Sequence, residues 1–152
     1  MEIVVLGKGD LDRVTAAGYL FDGELQLEAT TRFLDEPGHH LLIAYVDGIP
    51  VGYVSGVEMT HPDKGTEMFL YELAVADAHR RQGIAVALVN RLAELARQLN
   101  CYGMWVATEP ENLAAIATYR RAGAVADPPI TVVLAWDLRR PPASRSATPP
   151  DG

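Results

Sequence analysis

The sequence predicts a mixed α/β layer, with a central sheet and helices on both faces, in the order β-α-α-β-β-β-α-β-α-β. Three observations carry this. Between Ile84 and Leu99 apolar residues recur at three- and four-residue steps, which marks a long amphipathic helix. Short apolar or alternating runs on either side of it end at Gly, Pro and Asp, as strands do. The chain has 152 residues, 49% hydrophobic and 22% charged, a balance suited to one domain around one core.

Each element has its own signal. Glu2 to Leu6 reads as a first strand. Asp10 is placed to N-cap a helix through about Tyr19, and Glu24 to about Leu34 reads as a second helix, stopped by Pro37-Gly38. Leu41 to Val46 and Val51 to Met59 are strands joined by Asp47-Gly48-Ile49-Pro50, where the Asp-Gly pair is hairpin chemistry. After the polar loop from His61 to Gly65, Glu67 to Val75 is a nearly all-apolar strand and is therefore expected at the centre of the sheet. The Ile84–Leu99 helix follows, then a fifth strand from Tyr102 to Ala107. A helix from Asn112 to Ala122 ends at Gly123, which suits a left-handed cap. Ile130 to Leu138 alternates as a final strand. The domain is expected to span residues 1–138, and the Pro- and Arg-rich stretch 139–152 to be a disordered tail.

Bulk properties narrow the function. No apolar stretch approaches the roughly 20 residues of a membrane span, and the N-terminus lacks the pattern of a signal peptide. A single cysteine, Cys101, excludes an internal disulfide and a multi-cysteine zinc site. These features favour the cytoplasm and no membrane partner. The net charge of −7 argues against nucleic acid, whose binding requires phosphate neutralisation, and suits a cationic substrate.

The most informative segment is Tyr71-Glu72-Leu73-Ala74-Val75, followed by Arg80-Arg81-Gln82-Gly83-Ile84-Ala85. An apolar strand ends, a short turn follows, and an Arg/Gln/Gly segment opens the long helix. Backbone N–H groups, a helix N-terminus and two guanidinium groups then surround one small volume, which suits an anion such as a pyrophosphate. Gly83 permits close backbone approach, and small Ala85 keeps the first turn open. Arginines at a helix start otherwise form a solvated face, but there they oppose the helix dipole unless an anion is present. Neither a nucleotide P-loop nor a Gly-x-Gly-x-x-Gly fingerprint occurs.

This Arg-x-x-Gly-x-Ala spacing resembles the acetyl-CoA motif of the GNAT superfamily of N-acetyltransferases, and the element order matches that fold from about Glu2 to Leu138. The resemblance implies acetyl-CoA as cosubstrate, held by Leu73, Ala74, Val75, Arg80, Arg81, Gln82, Gly83, Ile84, Ala85, Asn112, Ala115 and Tyr119. It also implies a fourth strand that splays from the fifth, so that Leu73 and Val75 offer main-chain groups to pantetheine. Superfamily members carry an Asn and a Tyr on the helix past the fifth strand. Asn112 and Tyr119 stand there, seven residues apart and so on one helix face. Tyr119 would then protonate the departing thiolate. Relatives form dimers, and the apolar final strand would permit a homodimer here.

Transfer to an amine requires the cation to be attracted and then deprotonated, and carboxylates do both. Glu72, just before Leu73, stands where members place an acidic base. Tyr71, Glu58, Glu67, Glu109 and Glu111 complete the expected substrate-binding set, with the acids converging on the C-terminal edge of the sheet. The strand from Thr66 to Val75 and the segment His79-Arg80-Arg81-Gln82-Gly83-Ile84-Ala85 look most like the aminoglycoside 3-N-acetyltransferases. Two departures stand out: Glu72 replaces an Asp, reaching about 1.5 Å farther, and Asn112 stands where an acid is expected. The implied acceptor is a small polycationic amine, an aminoglycoside first. A protein, peptide or polyamine acceptor is the alternative, and a noncatalytic acyl-CoA-binding module is the alternative of another class.

The remaining reactive residues read as structural. His39, His40, His61 and His79 show no ligand spacing, so no metal is expected, and His79 reads as capping the turn before the Arg/Gly loop. Cys101 has no flanking cation to activate it. Ser55 lacks a nucleophile elbow. Trp105 and Trp136 read as core.

Overall fold

The computed structural model describes residues 1–126. Its five strands lie in sequence order in one sheet: β1 (Glu2–Leu6), β2 (His39–Val46), β3 (Ile49–His61), β4 (Gly65–Val75) and β5 (Met104–Trp105). The first four form an antiparallel meander. β5 runs parallel to β4, a pairing that needs a crossover, and α3 (Ile84–Gln98) supplies it. Helices α1 (Leu11–Ala16) and α2 (Leu27–Asp35) connect β1 to β2, and α4 (Leu113–Arg121) follows β5. The final strand expected at Ile130 to Leu138, Trp136 within it, and the expected tail lie outside the described residues. No described helix is long and apolar enough to cross a membrane.

The sheet has a hydrophobic cluster on each face, because successive strand side chains alternate. On one face Leu42, Val54, Met68 and Leu70 pack against Ile84, Leu88, Leu92 and Ala96 of α3. On the other Leu41, Ile43 and Tyr53 pack with Val14, Leu20 and Leu34. The β2–β3 hairpin turns on Asp47 (φ 50°) and Gly48 (φ 78°), between the paired Val46 and Ile49. Left-handed backbone at both central residues is a type I′ turn, whose twist matches that of the strands.

Three expectations shift. Helix α2 begins at Leu27, because residues 21–26 form a bend and an irregular approach rather than its first turn. The Asp10 carboxylate does not cap α1; it accepts the Gly7 N–H (3.0 Å) and closes the loop ahead of the helix. Strand β5 is two residues long, because only Met104 and Trp105 pair with β4. Trp105 is accordingly 40% exposed rather than core, and lies tilted against Phe69 with ring centroids 4.3 Å apart.

The seating of α3 depends on Gly56. A Cβ there would lie 2.8 Å from Met68 Sδ and 2.9 Å from Leu92 Cδ1. Gly56→Ala is therefore expected to destabilise the fold by about 1–3 kcal/mol, the usual range for overpacking. Urea unfolding should show a lower midpoint at unchanged slope.

Candidate active site

The site begins with a bulge in β4. Ser55 pairs with Glu72 but Gly56 pairs with Leu70, so Tyr71 is an extra residue. Before the bulge Met68 and Leu70 face α3; after it Leu73 and Val75 do, while Ala74 packs on the opposite face. The backbone changes sides in step. Met68 N–H donates to Gly103 O (2.9 Å) on the β5 side, whereas Ala76 N–H donates to Val51 O (2.9 Å) on the β3 side. Leu73 and Val75 therefore turn their main-chain groups toward β5.

Strand β5 does not reach them. Its pairing ends at Phe69–Trp105, so from Leu70 to Val75 that edge of β4 faces a gap. Leu73 and Val75 border the gap on one side, and Val106 with Tyr119 of α4 join the same apolar cluster from the other. The Val75 carbonyl is already engaged, accepting Arg80 Nε at 3.2 Å.

At the mouth of the gap the chain turns into α3. A single 3₁₀ turn, Asp77–His79, leads to Arg81 (φ 60°) and Gly83 (φ 83°), both left-handed. Gly83 caps α3 without a side chain, and a Cβ placed on it would meet nothing within 4 Å. The first helical N–H groups have no intrahelical acceptor, so they point from an open mouth. Arg81 forms no ion pair among the described residues and is exposed. Arg80 is used differently: besides Val75 O, its guanidinium pairs with Asp77 at 2.8 Å, and Gln82 Nε2 donates to Ala78 O (3.2 Å). These side chains clasp the loop, leaving Arg81 and the main chain to meet an anion. At His79 the backbone N–H, donating to Ala76 O (2.8 Å), closes the turn.

Helix α4 starts with Asn112 as a true cap: its side-chain oxygen accepts Ala115 N–H at 3.1 Å. It ends in a Schellman closure, with Gly123 at φ 96° and Ala124 N–H donating to Tyr119 O (2.9 Å). Tyr119 is half-buried, and burial raises its phenol above the ordinary value, so it holds its proton through neutral pH.

On the face away from α3, Tyr71 and Glu72 floor an open groove of about 480 Å³ walled by residues 21–26, with Phe21, Asp22 and Glu24 among its lining. Asp22, Glu24 and Glu72 give it three carboxylates. The expected convergence of the other acids does not occur. Glu58 projects to the α3 face and binds the buried His40 (2.8 Å). Glu67 shares the face of Glu72 but stands four ladder positions back, about 13 Å along the strand, beside Tyr102, whose phenol it pushes up. Glu109 and Glu111 lie exposed in the loop before α4. Cys101 packs on the α3 cluster, and burial raises its thiol, as an unreactive cysteine requires. Asp22, Glu24 and Tyr53, which lies under the groove, were not legible as site residues. Glu24 reads only as the start of a helix, Asp22 carries no motif, and Tyr53 lies in a strand with nothing to mark it.

Comparisons with known proteins agree with this fold. The sequence model of the acetyltransferase (GNAT) family matches residues 13–124. Mycothiol acetyltransferase of Salinispora arenicola (strain CNS-205) is 35% identical over 117 residues, covering 75% of this chain and 33% of that protein. The chain thus spans about a third of the length of the first curated relatives it matches. Among solved structures, an aminoglycoside acetyltransferase from an uncultured soil metagenomic sample, in complex with sisomicin, superposes with a TM-score of 0.80 at 17% identity, over 89% of this chain and 95% of that one. The aminoglycoside antibiotic 6'-N-acetyltransferase of Acinetobacter haemolyticus superposes with a TM-score of 0.70 at 20% identity, over 90% of this chain and 99% of that one. At such identities the likeness shows a shared fold.

Proposed function

Because this chain belongs to the acetyltransferase (GNAT) family, we propose that it transfers an acetyl group from acetyl-CoA directly to a primary amine of a small polycationic acceptor, an aminoglycoside foremost. The observation that carries this reading is the adjacency, along one strand, of an unpaired backbone edge and an acid-lined groove. The edge from Leu70 to Val75 opens beside the α3 mouth. Glu72, on the same stretch, floors the groove with Asp22 and Glu24. One ligand can be held along the gap while a cation enters from the opposite face.

Each residue has a role in this reading. The N–H groups at the start of α3, with Arg81, would hold a diphosphate, and the open space at Gly83 fits that use. Leu73 and Val75 would offer main-chain groups to the pantetheine arm, as an added strand does. Bound there, acetyl-CoA would supply an activated thioester. Glu72 attracts the acceptor ammonium and takes its proton, directly or through one water, freeing the nitrogen lone pair. The Tyr119 hydroxyl, kept protonated by burial, gives its proton to the departing sulfur. Asp22 and Glu24 hold further positive charge on the acceptor, which a peptide of ordinary composition would not present. The aminoglycoside acetyltransferases of the same fold support the acceptor class. Of the two named above, the one whose position is given acts at the 6'-N rather than the 3-N position, so regiochemistry belongs to product analysis.

Three outcomes check the reading. In a panel of kanamycin- and gentamicin-type aminoglycosides, spermidine and short peptides, read by released CoA thiol, aminoglycosides are expected to turn over fastest. Faster peptide turnover would move the acceptor to proteins, and CoA binding without thiol release from any amine would leave a binding module. Tyr119→Phe should lower kcat about 10²-fold or more while acetyl-CoA affinity holds. Unchanged kcat retires Tyr119 as the acid. Gly83→Asp should abolish acetyl-CoA binding in calorimetry, because its carboxylate repels a diphosphate. Gly83→Ala, which shares only the backbone strain of a positive φ, should weaken it far less. Normal affinity in the Asp variant would place the diphosphate elsewhere.

A further inference from the structure

Beneath Glu72 lies a buried phenol that the roles above do not use. Tyr53 of β3 is 0% exposed. It pairs with Ala74 while Ser55 pairs with Glu72, so Tyr53 and Glu72 are diagonal neighbours on the groove face of the sheet, a spacing that aromatic and long side chains bridge. The Tyr53 ring stacks on Phe21 with centroids 4.2 Å apart, and Phe21 lines the groove wall. The ring therefore joins the wall to the floor. Its hydroxyl, sealed from solvent, has no hydrogen-bond partner among the described residues. Burial above all, then the neighbouring carboxylates of Glu72 and Asp22, hold the phenol far above its ordinary value, so it keeps its proton and stays a donor. Glu24 is the remaining acid of the groove.

A donor sealed from water and left without a partner is costly to keep as mere packing, since phenylalanine would fill the same space without a polar group to satisfy. We propose that Tyr53 is a positioning residue for the acceptor: its hydroxyl donates to one oxygen of the Glu72 carboxylate from beneath the groove and leaves the other for the incoming ammonium. The bond, not made in the free chain, forms when the cation draws the carboxylate into line, as catalytic hydrogen bonds commonly tighten on binding. This inference rests on Glu72 as the acceptor anchor.

The test is a double-mutant cycle in the full chain with Tyr53→Phe, Glu72→Gln and both together, using kanamycin and spermidine as acceptors. Tyr53→Phe keeps the Phe21 stack, so its melting temperature should hold or rise and its acetyl-CoA affinity should be unchanged. Its kcat/KM should fall about tenfold, the weight of a hydrogen bond to a charged group. In the Glu72→Gln background the same change should have almost no effect. An equal loss in both backgrounds, a lowered melting temperature with lost acetyl-CoA binding, or an unchanged kcat/KM would each overturn the role of Tyr53 and leave Glu72 standing. Undiminished activity in Glu72→Gln itself would overturn both, which separates the two failures.

Discussion

A strand that loses its neighbour halfway along must leave backbone groups for something else to bind, and in this fold β4 is that strand. Its upper edge is paired at Met68 and Phe69 and open from Leu70 onward. The short length of β5 is thus the constraint on which the site depends. With β5 running the whole length of β4, the main-chain groups of Leu73 and Val75 would be consumed by a ladder, and no slot would lie between the sheet and α4. The gap also brings the α3 mouth, at the end of the same strand, within reach of a ligand lying along it.

The loop from Val75 to Gly83 is shaped for this. Two left-handed residues, Arg81 and Gly83, stand close together where the chain enters α3. For Arg81 such a conformation is unfavourable and has to be held by its surroundings. Arg80 supplies the hold, through Val75 O on one side and Asp77 on the other. The two arginines of the motif therefore divide the work, one closing the loop and the other remaining unpaired at its rim among the described residues. Below them α3 sits close on the sheet because Gly56 leaves room for Leu92, and that contact fixes where the helix mouth lies relative to β4.

Much of this was legible in the sequence because it is local. The 3.6-residue period of α3, the Asp47-Gly48 turn and the Gly123 stop each depend on residues a few positions apart, and each forms as read. The Arg-x-x-Gly-x-Ala loop was legible for the same reason. What the sequence withheld depends on register. The end of β5 pairing at Trp105 cannot be read from the strand propensity of Val106 and Ala107, which continue the apolar run without pairing. Trp105 looks like core until the pairing stops beside it. Glu24 reads as the start of a helix, and only the fold of the segment around Phe21, stacked on Tyr53, brings it and Asp22 over β4.

The acids show most clearly why spacing was insufficient. Counting by twos along β4 from Met68 and Leu70, which face α3, would put Glu72 on that same face. A carboxylate there would stand in the apolar cluster with Ile84 and Leu88, at a cost of several kcal/mol unless paired. The one extra residue at Tyr71 reverses the alternation, sending Leu73 and Val75 into the core and Glu72 out to the groove. The same step turns the Leu73 and Val75 backbone toward the gap. Core packing, the placement of the groove carboxylate and the open main-chain edge are thus three consequences of a single bulge. A bulge is recognised by which residues pair across strands, and pairing is information that no single strand contains. Glu58, on a stretch of β3 where no such step intervenes, keeps the parity of Val54 and Gly56 and is held on the other side of the sheet by His40, which is why two acids that look alike in sequence cannot share a substrate.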